Sequence, residues 1–239
     1  MDWFSEILKN WKLYYCTEPF EIICIIIALT AGLLFAKKDP VSTIFLIYTF
    51  SGLASILYII YITQAFGFES ARRPINVSMA NLIVSYLEMF AFMFFFYNTI
   101  FIKTIKIFIK LSLLTFTLIN FWILFKVLFF ELPLDQLRKS SNATITFQLF
   151  PLLFLCFCYY NQILNFKSEE DLFKRPSFWI TTTLFFYILL LTPFILIYEE
   201  LRINHRPLTK IFFSIHNFSF GIIFIALTNA FLCKKPITT

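Results

Sequence analysis

The sequence predicts an all-α integral membrane protein: a seven-transmembrane-helix bundle with a short N-terminal interfacial helix. Two observations lead to this fold class. Of the 239 residues, 59% are hydrophobic and only 14% are charged, whereas about 25% of the residues of a soluble globular protein are charged. The chain also contains successive apolar runs of about 20 residues, the length that a bilayer-spanning helix requires, and charged residues or prolines separate them.

The predicted spans together form a transmembrane domain over residues 19–233, which residues 234–239 follow as a short C-terminal tail. The approximate ranges of the seven spans are 19–36, 41–66, 75–101, 107–130, 143–164, 177–198 and 211–233. Pro151 and Pro193 fall inside the fifth and sixth spans. A proline in a span frees backbone carbonyls that can line a cavity or form a hinge, although proline is also common in spans without such a role.

Residues 1–18 are predicted to form an amphipathic segment that lies in the membrane interface. Trp3, Ile7 and Trp11 recur at helical spacing with lysines between them, a pattern typical of a helix parallel to the membrane surface. A frayed tail is the alternative interpretation. The segment opens with an acid and lacks a long apolar run, so we do not expect a signal peptide.

The orientation of the bundle rests on a small asymmetry in charge. An odd number of spans places the two termini on opposite sides of the membrane. Lysines and arginines are almost equally divided between the two sides, so the positive-inside rule does not decide. Acidic residues are more frequent on the N-terminal side, which favours a multi-pass inner-membrane protein with its N-terminus outside and its C-terminus in the cytoplasm.

Glu88 is the acidic residue predicted to lie deepest in a span, at the midpoint of the third one. A charged side chain at the bilayer centre costs about 2.5–3.5 kcal/mol on insertion scales. Glu88 is therefore expected to face the bundle interior, to pair with another polar group or to stay protonated. Two interpretations remain open at this point: an interhelical hydrogen bond that fixes packing, or a site for a ligand, an ion or a proton.

Other polar side chains are predicted to lie in one layer near the N-terminal face of the bundle. At 1.5 Å per residue, positions five or six residues inside a span lie about 6–9 Å deep, and Glu88 lies about 10 Å deeper. Together they predict a polar path from this face towards the midplane, although a single helical histidine is more often a hydrogen-bonded interior residue. The candidate ligand-binding residues are Glu88, Asn81, His216, Asn217, Thr192 and Gln148.

Several functional classes are excluded by missing motifs. The sequence has no HExxH, GxSxG or P-loop motif, and no lysine in the middle of the last span that could hold retinal. The five cysteines show no CxxC spacing, so we expect neither a metal site nor a cofactor. Basic residues flank the spans instead of forming a stripe, so the expected partner is the lipid bilayer and not nucleic acid.

Three stretches carry a resemblance to a known family: NLIVSYLEMFAFMFFFY, FKRPSFWITTTLFFY and IHNFSFGIIFIAL. They resemble a family of uncharacterised seven-span membrane proteins of Bacteroidota. Some relatives of that family carry this region as the membrane input domain of a sensor histidine kinase. The resemblance implies that Glu88, Phe178, Trp179, His216 and Asn217 are characteristic positions. It also implies that signalling by this shorter chain would need a separate signalling protein.

The leading functional hypothesis is a non-enzymatic sensory or ligand-binding module of the membrane. Its polar site around Glu88 would take a small or lipid-like ligand. Two hypotheses from other classes remain. One is a membrane-embedded lipid-modifying enzyme with Glu88 as general acid or base and His216 assisting it. The other is a small proton-coupled transporter in which Glu88 is the titrating group.

Overall fold

The computed structural model describes residues 18–36, 39–66, 72–130, 134–165, 172–233 and 237. These ranges hold a short 3-10 turn (Leu172–Lys174) and no strand. They contain seven α-helices: α1 (Glu18–Phe35), α2 (Pro40–Phe66), α3 (Arg72–Thr99), α4 (Lys103–Phe130), α5 (Leu134–Asn165), α6 (Pro176–Asn204) and α7 (Arg206–Leu232).

Six helices, α2 to α7, are long and apolar enough to cross a membrane. This confirms the prediction of a helical, multi-pass membrane protein. Helix α1 is also apolar, but its run Pro19–Phe35 is shorter than those of the other six helices. The predicted interfacial segment falls on residues 1–17 and Glu18, and all but Glu18 lie outside the described residues.

Helix starts in this chain coincide with prolines and capping groups. Helix α2 begins at Pro40, where the missing N–H costs nothing because the first turn has no intrahelical partner for it. The carboxylate of Asp39 accepts a hydrogen bond of 2.9 Å from the backbone N–H of Ser42, which satisfies one of the free donors of that turn. Helix α6 likewise begins at Pro176, and Pro207 lies in the first turn of α7.

Two helices extend well beyond the predicted apolar runs. Helix α5 begins at Leu134, inside a polar stretch, and α6 continues to Asn204, so that His205 alone separates it from α7. Apolar runs mark where a helix meets lipid, and backbone hydrogen bonding can continue past that boundary into water. The two internal prolines, Pro151 and Pro193, lie within uninterrupted helical assignments.

Six of the seven helices form a closed ring. In order around the ring, α1 contacts α2, α2 contacts α3, α3 contacts α5, α5 contacts α6, α6 contacts α7, and α7 returns to α1. Helix α4 lies outside the ring against α3 and α5. Helices α2 and α7 also touch across the interior, where the rings of Tyr48 and Phe224 stack with their centroids 5.7 Å apart.

Helix α1 lies parallel to α7 along only the second half of that helix. Near one end of α1, a Cβ on Gly221 would lie 2.7 Å from Phe20, and near the other end a Cβ on Gly32 would lie 3.1 Å from Phe231. These contacts place Phe20 level with the middle of α7. Residues at the start of α1 therefore lie deep in the bundle and not at its face.

Polar contacts fix the register of helices α3 and α5. The amide of Gln162 accepts a hydrogen bond of 2.9 Å from the backbone N–H of Phe101 and donates one of 3.0 Å to the carbonyl of Thr99. Ser85 and Gln148 form a second hydrogen-bonded pair between the same helices. Such interhelical hydrogen bonds between spans select particular neighbours in lipid, where the hydrophobic effect does not distinguish them.

Candidate functional site

Polar side chains from all six ring helices meet in the interior of the ring. We call this set the central polar cluster; it consists of Glu21 (α1), Tyr48 (α2), Glu88 (α3), Gln148 (α5), Tyr187 (α6) and His216 (α7). Glu21 and His216 are half-buried, and the other four side chains are at most 6% exposed. A polar group from every helix of a ring is costly to bury in a membrane protein and is more often functional than structural.

Glu88 is held on one side by the amide of Gln148. Ser85 lies one turn before Glu88 on the same side of α3, and its hydroxyl donates to the amide oxygen of Gln148. The side chain of Gln148 in turn interacts with the Glu88 carboxyl. Gln148 thus joins the two polar side chains of α3 to α5 and fixes the position of the carboxyl group in the ring.

Two tyrosines share the interior of the ring with the two carboxyl groups of the cluster. The phenols of Tyr48 and Tyr187 each interact electrostatically with Glu21 and with Glu88. Among the described residues, these two carboxyl groups are the charged groups that act on both phenols. The lysines of α4 lie outside the ring. The Nζ of Lys126, for example, lies 5.0 Å from the centroid of the Trp122 ring.

Aromatic rings form a continuous wall beside the cluster. Tyr48 stacks on Phe224 at 5.7 Å, and Phe224 meets Phe220 edge-on at 5.1 Å. Phe220 lies 5.7 Å from Tyr187 and 5.9 Å from His216, and these last two rings are 5.8 Å apart. The wall runs along α7 and connects the carboxyl end of the cluster with His216.

Three buried polar atoms of the cluster have no hydrogen-bond partner among the described residues. They are Oη of Tyr48, Oε1 of Glu88 and Nδ1 of His216. More than about 90% of buried polar groups in proteins are hydrogen-bonded. Gln162 shows the usual behaviour in this chain, since both its oxygen and its nitrogen are bonded to backbone groups. An amide that only fixes packing, such as that of Gln162, has all its polar atoms hydrogen-bonded. The central polar cluster, in contrast, keeps polar atoms without a hydrogen-bond partner.

The structure brings three of the six predicted site residues together, namely Glu88, Gln148 and His216. Asn217 follows His216 on α7 and is half-buried. The hydroxyl of Thr192 donates a hydrogen bond of 2.7 Å to the carbonyl of Ile188 in its own helix. The Thr192 hydroxyl is thus hydrogen-bonded within its own helix.

Asn81 is exposed, although it lies two turns before Glu88 on α3. At this level the buried side of α3 faces α4 and α5, and Leu82 packs there with Ile123 of α4 and Leu137 of α5. Helical spacing alone places Asn81 close to the Glu88 side of the helix. The packing partners of α3 change along its length, so the same side is buried at Glu88 and open at Asn81.

Phe178 and Trp179 lie at the start of α6, away from the central polar cluster. Trp179 is exposed, and its indole N–H donates a hydrogen bond of 2.8 Å to the carbonyl of Phe173. The Phe173 and Trp179 rings lie 6.0 Å apart. Exposed indoles with a polar anchor are typical of the membrane–water interface.

Sequence reasoning missed three members of the cluster: Glu21, Tyr48 and Tyr187. Glu21 lies near the start of its predicted span, so counting residues along the span places it at the N-terminal face of the bundle. The structure places it deeper because α1 begins level with the middle of α7, as the contact between Phe20 and Gly221 requires. The two tyrosines lie in spans that are apolar on all sides, where sequence spacing does not indicate which side faces inward.

An open groove lies between α6 and α7 on the outer side of the bundle. This groove of about 480 Å³ is lined by apolar residues and by Ser214 and Ser219. A recess beside it is lined by Tyr187 and His216 among others, and it has no space that a water molecule could enter. Groove and recess share the lining residues Leu190, Ile215 and Ser219.

The cluster offers both hydrogen-bond donors and hydrogen-bond acceptors. It combines two carboxyl groups, two phenols, an amide and an imidazole, backed by aromatic rings. Among the described residues, no group of three histidine, cysteine or acidic side chains could hold a metal ion. No protein-family model, curated protein or solved structure matches this chain.

Proposed function

We propose that this protein is a membrane-embedded sensory module that binds a small or lipid-like ligand at the central polar cluster. The observation that carries the proposal is the free hydrogen-bonding capacity of Tyr48, Glu88 and His216 in the ring interior. Burying an unpaired polar group costs about 1–3 kcal/mol. A ligand that pairs with these atoms would recover that cost, so the site is preorganised for binding.

The ring architecture supports a signalling role for the bound state. Each ring helix contributes one member of the cluster, so a ligand there would contact groups on every ring helix. A change in the spacing of α6 and α7, which line the recess, would alter the bundle as a whole. A separate signalling protein would read this change, in line with the family resemblance of the sequence.

The proposal includes a particular arrangement in the membrane. Helix α1 serves as the seventh span, and the protein lies in a bacterial inner membrane with its C-terminus in the cytoplasm. Glu18–Phe35 has 18 residues, which at 1.5 Å per residue covers about 27 Å of a hydrocarbon core that is about 30 Å thick. Because Phe20 lies level with the middle of α7, the start of α1 lies below one face of the bundle, and the proposal requires the bilayer to thin on that side.

A proton-coupled transporter is the second candidate function. It is favoured by the closeness of titratable groups on α2, α3, α6 and α7 in one interior. A lipid-modifying enzyme would use Glu88 as general acid or base with His216 assisting it.

The experiment that tests ligand binding compares small molecules retained by purified protein. Wild-type protein and the Glu88→Gln variant would be purified from their native membranes in lipid nanodiscs, and the bound small molecules identified by mass spectrometry. We expect one species that the wild type retains and Glu88→Gln loses. Asn81→Ala is the matched control, because Asn81 is a polar residue of the same helix that is exposed.

Two outcomes would contradict the proposal. If folded Glu88→Gln retains the same molecules as the wild type, the cluster is not a binding site for them. If proteoliposomes containing the wild type acidify or alkalise their interior in a Glu88-dependent way, and no molecule is retained, the transporter is the correct function. Unchanged lipids in the same vesicles would argue against the enzyme.

A further inference from the structure

We propose that the start of α4 binds the phosphate group of an anionic phospholipid through Lys103, Lys106 and Lys110. We call these three side chains, together with the ring of Tyr97, the lysine site. Tyr97 lies about 13 Å further along α3 than Glu88, so the lysine site is separate from the central polar cluster. The inference therefore does not depend on the proposed function.

The lysine site lies where two membrane spans meet. The apolar stretch of α3 ends at Thr99 and that of α4 begins at Lys103, so the turn between them emerges at the membrane surface. Side chains on a helix tilt towards its N-terminus, which for α4 is the direction of this surface. Lys110 begins about 10 Å deeper than Lys103, and its side chain is long enough to extend back towards the lipid head groups.

One aromatic ring holds two of the three ammonium groups. The Nζ atoms of Lys106 and Lys110 lie 5.0 and 5.4 Å from the centroid of the Tyr97 ring. Both distances are typical of cation–π contacts, so the ring keeps two like charges near each other. Lys103 lies on the same side of α4, because the three lysines are spaced three and four residues apart. Ammonium groups arranged in this way match an anion with several oxygen atoms, such as a phosphate.

The helices that surround the lysine site supply no acidic side chain to balance its charge. Residues 89–130 of α3 and α4 contain no aspartate or glutamate, and neither do residues 136–165 of α5, which packs on the same turn through Gln162. None of the three lysines forms an ion pair within the part of the chain that the structure describes. Like charges at this spacing repel each other on a helix, so a bound anion would stabilise the start of α4.

The surroundings of the lysines favour a lipid phosphate over a free one. Exposed apolar side chains lie beside them, namely Phe101, Ile107 and Leu111, and these would contact the acyl chains of the same lipid. A basic residue near an anionic membrane surface contributes about fivefold in affinity. Phosphatidylglycerol carries the negative charge that this site requires, whereas the choline group of phosphatidylcholine offsets the charge of its phosphate.

The test compares phosphatidylglycerol with phosphatidylcholine of identical acyl chains. Delipidated full-length protein in a neutral detergent would be titrated with each lipid, and the lipid-bound fraction measured by native mass spectrometry. We expect the wild type to bind phosphatidylglycerol about tenfold or more tightly than phosphatidylcholine. The double variant Lys106→Gln, Lys110→Gln should lose this preference. Lys126→Gln is the matched control and should keep it, because it removes another lysine of α4 that lies 5.0 Å from an aromatic centroid.

A second pair of variants tests whether the ring of Tyr97 builds the site. Tyr97→Leu keeps all three positive charges but removes the ring that holds two of them. We expect it to weaken the binding of phosphatidylglycerol about threefold or more. Tyr97→Phe keeps the ring and should bind this lipid like the wild type. Both variants leave the lysines in place, so the test holds even if the double variant fails to fold.

Several results would overturn the inference. Equal affinity of the wild type for both lipids, or a double variant that binds phosphatidylglycerol like the wild type, would show that the lysines do not select an anionic lipid. Displacement of the lipid by an equal concentration of inorganic phosphate would show that the site takes a free anion.

Two further outcomes would assign the lysines another role. An equal loss of affinity in the double variant and in Lys126→Gln, or no difference between the two Tyr97 variants, would reduce the effect to unspecific attraction by positive charge. A double variant with a lower free energy of unfolding in phosphatidylcholine alone would show that the lysines pair within the protein. Glu169, Glu170 and Asp171, which lie outside the described residues, would then be the first acids to test.

Discussion

Replacing Glu88 with methionine should leave the protein about as stable as before. Methionine has a similar length and no polar atom to desolvate. The matched variant is Gln162→Met, which removes a polar side chain of comparable size from α5. The two substitutions should differ in their effect on stability, because Gln162 uses both of its polar atoms in hydrogen bonds whereas Oε1 of Glu88 has no partner among the described residues.

The magnitudes follow from the contacts of each side chain. Removing the unpartnered Oε1 of Glu88 relieves about 1–3 kcal/mol of desolvation cost, and leaving the buried Gln148 amide without the Glu88 carboxyl costs about 1–3 kcal/mol. The two contributions offset each other, so the net change in stability for Glu88→Met is expected to be close to zero. Gln162→Met leaves the N–H of Phe101 and the carbonyl of Thr99 without their partner, which should cost about 2 kcal/mol or more.

The assay is SDS-induced unfolding in mixed micelles, with the free energy of unfolding compared among wild type and both variants. Gln162→Met serves as the control that a lost hydrogen bond between these helices is detectable. If Glu88→Met destabilises the protein as much as Gln162→Met does, then Glu88 is an interhelical packing group. In that case the argument from its unpartnered oxygen is wrong.

Three further predictions concern packing. Gly221→Leu should strongly destabilise the bundle, because even a Cβ there would lie 2.7 Å from Phe20. Adding Phe20→Leu should recover part of the lost free energy of unfolding in the same titration, and no recovery would contradict the contact between Phe20 and Gly221. Tyr159→Phe should cost about 0.5–1.5 kcal/mol through loss of the 2.7 Å hydrogen bond to Ser177, and an unchanged free energy of unfolding would speak against that bond. Asn81→Ala should change stability by less than about 0.5 kcal/mol, since the residue is exposed, and a larger loss measured in the same way would place Asn81 in a contact.

The sequence predicts the helices well because the length of an apolar run is set mainly by one requirement. A bilayer-spanning segment must satisfy its backbone hydrogen bonds internally, so about 20 apolar residues between charges become a helix. Each of the seven predicted spans corresponds to one helix of the structure. The largest difference lies at Leu134, where α5 continues into polar residues that carry no membrane signal.

The neighbours of each helix could not be predicted in the same way. Spans that are apolar on all sides give no inward face, so nothing in the sequence shows that α3 packs against α5 while α4 lies outside the ring. Tyr48 and Tyr187 were missed for this reason. Glu21 was missed because depth was counted from each helix start, whereas α1 starts level with the middle of α7. Glu88 was found because a lone acid in the middle of a span has few explanations.

The central claim is that Glu88 serves binding and not folding, and one variant tests both halves of it. The measurement is the amount of ligand retained by Glu88→Met protein whose free energy of unfolding has been determined in parallel. We predict a protein about as stable as the wild type that has lost the ligand. A variant that retains the ligand at full stability, or that loses stability and ligand together, would contradict the claim.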